Sequence, residues 1–527
     1  MNLKPVRVAH RMVQTRRALA CAGVAVVAIA TATAAQAATA KAKGSKHGPQ
    51  LSLAVQGALV SFDPWQSGNG LNGSMLFLGG VYDSLLNVTP KGKIAPGLAT
   101  SWTQVNSHTI KLKLRSGVKF ADGTTFTSAS VKANVAYAVA DKTPGQCNSD
   151  LADVTVQTHG KYAVTLQESA PNPDLLLNLA SCAGYMVGPK ALANPTSLKG
   201  APDGTGPYTY DQSASVQNQT WVYKKKAKYW NSSLYPYSQI TLHFYGTQTA
   251  TDDASHSGQV QFVQVEPSTD TATGLKLYNT SPNLIRGMAL GDLHGSIVPA
   301  LGDVRVRQAM NYAINRPAIL KALYKGDGIV DGASTPFGPG YVGYTKKLDS
   351  YYPYDPSKAK QLLAQAGYPH GFTLPAMDSP TDTNAALLQA IAGYEQAIGI
   401  NMQVTANTTT FIPSMLSGKQ PAFFAQFTLS GAEYQNMVGM ASSTAFWNPE
   451  KASNKLFGGL LAKLQLATPG TKASAALYGR LAGAFAQQAW WVAPVLLPTT
   501  EGYNAKKVNI VVTNGNPCPL LYQITPA

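Results

Sequence analysis

The chain has little charge, few cysteines and almost no long apolar runs. Of its 527 residues only 13% are Asp, Glu, Lys or Arg, against 45% hydrophobic. That balance excludes a disordered chain, and the 47 glycines show no collagen period. No C-x-x-C and no H-E-x-x-H occurs, and His108, His159, His243 and His370 stand apart from one another. A zinc site therefore has no support, and neither a metal nor another cofactor is expected. G-x-S-x-G is also missing: Gly332-Ala-Ser334-Thr-Pro336 lacks the second glycine of a nucleophile elbow, so no catalytic residue is assigned. A secreted hydrolase stays open only as a remote alternative, because a dispersed triad leaves no linear trace. One stretch alone, Ala18 to Ala35, approaches the length of a membrane span, which excludes a multi-span protein.

That stretch belongs to a targeting element. Lys4, Arg7, Arg11, Arg16 and Arg17 precede it, no acidic residue occurs among the first 37, and Ala35-Gln36-Ala37 is a small-x-small cleavage pattern. Residues 1–37 are read as a signal peptide and 38–48, rich in Ala, Lys, Gly and Ser, as a flexible leader. An uncleaved anchor helix is the alternative, and Arg16-Arg17 raises a twin-arginine route. Cys21 lies at the front of the apolar stretch, a poor place for lipid attachment. The mature chain is expected in a periplasm, at a cell surface or in the medium. Cleavage takes five basic residues and no acidic one, so the formal charge falls from +16 to +11. The densest basic cluster, Lys224, Lys225, Lys226 and Lys228, reads as the solvated edge of a strand, and no nucleic-acid motif accompanies it.

Three cysteines remain: Cys147, Cys182 and Cys518. Disulfides persist outside the cytosol, and an odd count leaves one thiol over. Cys147 and Cys182 are closest in sequence and form the favoured pair.

Strand and helix signals interleave without a fixed repeat, which reads as α/β. Leu51 to Val55 is a short strand, Asp63-Pro64 a turn, and Ser74 to Leu86 a helix-like apolar stretch. The loop between holds Gly68-Asn-Gly70-Leu-Asn-Gly73, a weak dinucleotide signal: it lies too far from the strand, with no acidic residue at the ribose distance. Ile110, Leu112 and Leu114 alternate with Lys111, Lys113 and Arg115, predicting a half-buried strand with its charges in water. After the turn at Ala121-Asp122-Gly123-Thr124, Thr127 caps a helix with Val131, Val135 and Val139 on one face. Val306, Ala309, Met310, Ala313 and Ile314 follow the helical template. Asp355-Pro356 starts another helix, with Ala359, Leu362, Leu363 and Ala366 as its stripe and Gly367 as its stop.

Seven segments, taken in order, carry a resemblance. They are Val81-Tyr-Asp-Ser-Leu-Leu86, Ile94-Ala-Pro-Gly-Leu-Ala-Thr-Ser-Trp102 and Leu114-Arg-Ser-Gly-Val-Lys-Phe-Ala-Asp-Gly-Thr124, then Gly204-Thr-Gly-Pro-Tyr208 and Tyr229-Trp-Asn231. Asp303 to Arg316 follows, and then Tyr354-Asp-Pro356 through Ala366-Gly-Tyr368. From about Leu51 to the C-terminus the chain resembles the extracellular solute-binding proteins of family 5, the peptide- and nickel-binding receptors of ABC importers. The resemblance implies a two-lobed, type II periplasmic-binding-protein-like fold. It carries an extra subdomain in the first lobe and a hinge of crossing strands. The expected division is 49–90, 201–288 and 491–527 for the first lobe, 91–200 for the inserted subdomain and 289–490 for the second lobe. It further implies a monomer that closes over a ligand, does no chemistry on it and delivers it to membrane permease subunits, with ATP used elsewhere.

Enclosing a free α-ammonium strips its hydration, so a carboxylate partner is needed. In peptide-binding members an Asp in an Ala-Asp-Tyr context supplies it. The matching place here is Gly431-Ala432-Glu433-Tyr434, where Glu replaces Asp and Gln435-Asn436 replaces a Pro-Asp. The other reading of Glu433 is an exposed loop glutamate, and Tyr434 is either a stacking wall or a core aromatic. Ser61, just before Asp63-Pro64, is the better contact candidate beside a core Phe62. Trp65 is a candidate cleft wall, and Trp490 and Trp491 precede what looks like the returning crossover strand. The expected ligand is a peptide; a metal chelate, an opine-like conjugate or an oligosaccharide on the same scaffold is the alternative.

Overall fold

The computed structural model describes residues 48–511 and 520–527, apart from 56, 67–73, 90–91, 141–146, 148–149, 266–274, 281, 379–384, 408–410, 430, 444 and 446. The expected signal segment, the expected leader up to 47, the Gly68–Gly73 loop and Cys518 lie outside the described residues.

Two large sheets organise the chain. The first has seven strands in the order Lys276–Asn279, Thr500–Tyr503, Phe262–Val265, Gln50–Ala54, Gln239–His243, Thr220–Lys225 and Tyr208–Tyr210. Its central strand, Gln50–Ala54, runs parallel to both neighbours, an arrangement that buries both faces. A four-stranded antiparallel sheet built from Ala99–Asn106, Thr109–Leu114, Ala163–Gln167 and Thr155–Thr158 is inserted between the first strand and the rest. One continuous core joins it to the first sheet: Leu112, Val131 and Leu166 of the insert belong to the same buried cluster as Leu51, Tyr223 and Phe262. Insert and first sheet thus form one lobe.

Within the insert Ile110, Leu112 and Leu114 are buried while Lys111 and Lys113 are exposed. Arg115 departs from the expected pattern. Its guanidinium lies 3.9 Å from the Trp230 ring centroid, and its Nε donates to the Gly97 carbonyl at 3.2 Å. The helix Ser128–Ala140 buries Val131 and Val135, with Ala138 in place of Val139 completing the face. The first apolar helix runs only from Ser74 to Val81. It stops because the Val81 carbonyl accepts from the Gly206 amide at 2.9 Å, a long-range bond that replaces the next turn. Gly204 is required there, since a Cβ would stand 2.1 Å from that same carbonyl oxygen.

Five of the seven segments that carry the resemblance meet at this place, while those at 303–316 and 354–368 pack in a core of the second sheet. Ala99 N donates to Leu85 O at 2.8 Å, Arg115 N to Leu98 O at 2.7 Å, and Ala121 N to Gly204 O at 3.1 Å. Asp83 accepts from Tyr229 Oη at 2.5 Å and Trp230 Nε1 at 3.1 Å. These segments are scaffold. Cys147 and Cys182 are disulfide-bonded within the insert.

The second sheet has six strands in the order Ile329–Val330, Trp491–Leu497, Leu284–Leu290, Ala422–Thr428, Phe372–Asp378 and Ile400–Ala406. Leu284–Leu290 and Trp491–Leu497 are buried at every position, with a separate core cluster on each face of the sheet. Pro494 is accommodated in this central strand by an irregularity in the ladder, opposite Gly287. A Cβ on Gly287 would lie 2.5 Å from the Val492 carbonyl oxygen. The helix Val304–Tyr312 is capped by Asp303 and buries Val306, Ala309 and Met310. The helix Pro356–Gln365 is capped by Asp355, whose Oδ1 accepts from Lys358 N at 2.8 Å. Gly367 follows it at φ +92°.

Candidate ligand-binding site

The chain passes between the sheets twice, once between the strands Lys276–Asn279 and Leu284–Leu290 and once between Trp491–Leu497 and Thr500–Tyr503. Thr280 N donates to Thr499 O at 3.0 Å, Thr499 N to Thr280 Oγ1 at 2.9 Å, and Asn283 N to Leu497 O at 2.9 Å. Asn283 Oδ1 accepts from both Thr280 Oγ1 (3.2 Å) and Thr499 Oγ1 (3.1 Å). The two crossings are thus tied side by side as one narrow hinge.

On the second-lobe side the strand Ala422–Thr428 leads to the helix Glu433–Ala441. Its N-cap position is Ala432, which has no side chain able to accept from the first-turn amides. Glu433 opens the first turn. Its Oε1 accepts from Val342 N at 2.6 Å, while its Oε2 is buried without a hydrogen-bond partner. Burial pushes the Glu433 carboxyl above the usual carboxylate range, and the amides of Val342 and Gly343 act against that rise.

The first lobe meets this helix through Asp174 of the insert. Asp174 Oδ2 accepts from Gln435 N at 2.9 Å across 261 residues of sequence, and the Tyr434 amide also stabilises its charge. Asp174 is 9% exposed. The turn Asn172-Pro173-Asp174 holds it, with Asn172 Oδ1 accepting from Asp174 N at 3.0 Å and Asn172 Nδ2 donating to Glu168 Oε1 at 2.8 Å. Burial first, and then the charge of Glu433, push the Asp174 carboxyl up to about 7. The Tyr434 hydroxyl is pushed up to about 12 by burial and by the charge of Asp174, and Tyr478 is raised by burial and then by both carboxylates. Among the described residues, no Lys, Arg or His forms an ion pair with Asp174 or Glu433. Two carboxyls and three phenols, Tyr341 included, thus surround the opening of this helix, and none of the described residues pairs a positive charge with either carboxyl.

The sequence candidates divide between places. Gly431, Glu433 and Tyr434 lie together at the helix start, Gly431 exposed and Tyr434 buried. Ser61 is buried in the first lobe, where its Oγ accepts from Asp63 N at 3.0 Å and donates to Leu198 O at 3.4 Å. Trp65 is 1% exposed and packs on Tyr137 with centroids 5.3 Å apart; its Nε1 is buried without a partner. Phe62 packs on Tyr210 at 4.8 Å. Trp491 is 1% exposed inside the second lobe against Trp447, and Trp490 packs on Phe457. No hydrogen bond or ring contact among the described residues joins Ser61, Trp65 or Trp491 to Glu433. Asp174, Val342 and Tyr478 escaped the sequence reading. The one local signal for Asp174 is Asn-Pro-Asp, which announces a turn and says nothing of a distant partner.

Residues 93–449 match the family described as "Bacterial extracellular solute-binding proteins, family 5 Middle". The chain is similar to the glutathione-binding protein GsiB of Escherichia coli O1:K1, at 30% identity over 368 residues, which is 68% of this chain and 69% of that one. In fold it is similar to the ABC transporter-associated periplasmic binding protein DppA of Helicobacter pylori in complex with the peptide STSA. That pair has a TM-score of 0.77 at 19% identity, covering 91% of this chain and 98% of the other. It is similar in the same way to AgaA of A. tumefaciens R10 in complex with agropinic acid, with a TM-score of 0.77 at 22% identity, covering 91% and 99%.

Proposed function

The chain belongs to the bacterial extracellular solute-binding proteins of family 5, and from that premise we propose that its solute is a short peptide or peptide-like conjugate with a free ammonium. Members of this family are substrate-binding proteins of ABC importers and perform no chemistry on what they carry, so the protein is not an enzyme. In our reading it is an exported monomer, freed of residues 1–37, which closes over the peptide and presents it to a membrane permease. It has no part in nucleic-acid binding. We divide the lobes at the two crossings, near 280 and 498, rather than at the expected 288 and 491, because Leu284–Leu290 and Trp491–Leu497 pair within the six-stranded sheet.

The observation that carries the ligand class is Glu433 Oε2, buried at the helix opening with no donor to satisfy it. A buried carboxylate oxygen without a partner is costly, and a ligand ammonium supplies both the hydrogen bond and the charge. Gly431 and Tyr434 flank this seat. We assign the extended remainder of the ligand to the hinge side, with Ser61 and Trp65 as the first lobe's contribution and Trp491 behind the second lobe's wall. The relative's glutathione and the fold neighbour's peptide STSA are both compatible with an ammonium seat.

One observation favours a second reading, a non-peptide solute such as an opine-like conjugate, a metal chelate or an oligosaccharide. Glu433 already spends one oxygen on Val342 N, and burial raises its carboxyl toward the neutral form, which would suit an uncharged hydroxyl or amide as well. Calorimetry with reduced glutathione and with the dipeptide Met-Leu, each compared with its N-acetylated form, separates the two. Binding that is lost on acetylation supports the ammonium seat; equal binding of free and acetylated forms overturns it.

A further inference from the structure

We propose that Asp174 is an interlobe latch: from the first lobe it supplies the N-cap that the helix Glu433–Ala441 of the second lobe lacks. A helix leaves its first amides without intrahelical partners, and a capping side chain accepts from the second or third residue of the first turn. With Ala432 at the cap position, those residues are Tyr434 and Gln435. Asp174 Oδ2 takes the Gln435 amide at 2.9 Å, and the Tyr434 amide stabilises the same carboxylate.

The geometry is that of a cap supplied in trans. Asp174 is itself the N-cap of the short helix Leu175–Asn178, yet its side chain makes no bond to that helix. Asn172 instead receives the Asp174 amide, which leaves the carboxylate pointed outward at the other lobe. The disulfide partner Cys182 and the buried Leu175 and Leu179 anchor the segment in the first-lobe core. When the lobes part, the helix loses its cap and Gln435 N returns to water. The latch therefore favours the closed form whether or not ligand is present. Asp174 is a positioning residue: it acts through the helix that presents Glu433. The inference rests on two-lobed closure but not on the ligand being a peptide, so a failure of the glutathione titration leaves it untouched.

The test uses the mature chain without ligand. In hydrogen exchange of the unaltered protein, the amides of Tyr434 and Gln435 are expected to be protected, although neither has a partner within its own helix. In small-angle scattering, Asp174→Ala should lower the closed-to-open ratio by about two- to thirty-fold, the range of cap deletions, and enlarge the radius of gyration. Asp174→Asn, a good capping residue, should restore the compact form. Gln435→Pro leaves Asp174 in place and removes the donor at a first-turn position whose amide has no partner within the helix to lose; it should open the protein as Asp174→Ala does. Free exchange of both amides overturns the latch. So does a compact Asp174→Ala, an equally open Asp174→Asn, or a compact Gln435→Pro.

Discussion

Thr280 and Thr499 exchange two hydrogen bonds at the point where the chain crosses between the sheets. Thr280 donates from its amide, and its hydroxyl accepts from the Thr499 amide. This makes the two crossings a single jointed strip with its polar groups satisfied by one another, so the lobes can turn about it without exposing unpaired backbone. Thr280 is only 8% exposed. Replacing it with Val keeps the shape, removes the hydroxyl and strands the Thr499 amide. We expect a loss of about 1–2 kcal/mol in urea unfolding. Thr280→Ser, which keeps the oxygen, should lie within about 0.5 kcal/mol of the parent. Equal stability of Thr280→Val and the parent would show that the strip does not depend on this pair.

The Cys147–Cys182 bridge closes a loop with a sequence separation of 35 residues and fastens the insert to the segment that carries Asp174. Removing the loop-closure constraint should cost about 3–4 kcal/mol on the chain-entropy scale. The double variant Cys147→Ser, Cys182→Ser should therefore melt several degrees lower under non-reducing conditions, with the unaltered protein falling to match it in reductant. A melting midpoint indifferent to reductant would count against the bridge as a fastener.

Much of the scaffold was legible because local chemistry decides it. The alternation from Ile110 to Lys113 sets one face of the insert's strand, and Asp303 and Asp355 mark helix starts that their side chains do cap. Arg115 broke the pattern because Trp230, 115 residues away, offers its ring face, and no local period records that. The crossing points were harder. Leu284–Leu290 and Trp491–Leu497 are buried on both faces, so their composition does not say to which sheet they belong. Pro494 would ordinarily argue against a central strand and is accommodated only by Gly287 on its neighbour. At the candidate site, Gly431-Ala-Glu-Tyr434 matches a family motif without announcing a helix, and the structure opens one at Glu433. The residues that complete it, Asp174 and Val342, arrive from distant turns, and nothing in their own neighbourhoods marks the meeting.

Acidic groups buried in the insert make stability depend on pH in an unusual sense. Burial pushes Asp150 and Glu168 up to about 8, with Asp174 adding to the first and Asp153 and Asp150 to the second; Asp174 stands at about 7. Unfolded carboxyls titrate near 4. Between about pH 4 and pH 8 the folded chain therefore holds more protons than the unfolded one, and stability declines as pH rises through that window. The carboxyls held low, Asp122, Asp211 and Asp303, act below it. Calorimetric melting should fall steadily from pH 5 to pH 8.5. Asp150→Asn should flatten the profile and gain on the order of 1–3 kcal/mol at pH 8, since a tenfold difference in proton affinity between folded and unfolded chain is worth about 1.4 kcal/mol. A parent that melts higher at pH 8.5 than at pH 5 would refute this account.

Glu433 offers the sharpest test of what the protein carries. Its Oε1 is engaged by the Val342 amide and its Oε2 faces inward with no donor. Glu433→Gln can keep the first bond through its amide oxygen, so the helix opening and the Val342 segment should stay in place. The second oxygen becomes an NH2, which presents hydrogens to an ammonium where a lone pair stood. For a peptide held by its free amine, the loss should be about 2–4 kcal/mol, a roughly thirty- to thousand-fold weaker Kd. The N-acetylated peptide, which never used the charge, should change little between parent and variant. The comparison requires Asp174 intact, because that second carboxylate, near enough to raise the others, would otherwise change together with the latch. If Glu433→Gln binds glutathione and Met-Leu as tightly as the parent does, the ammonium is held elsewhere and Glu433 serves only to tie Val342 to the helix.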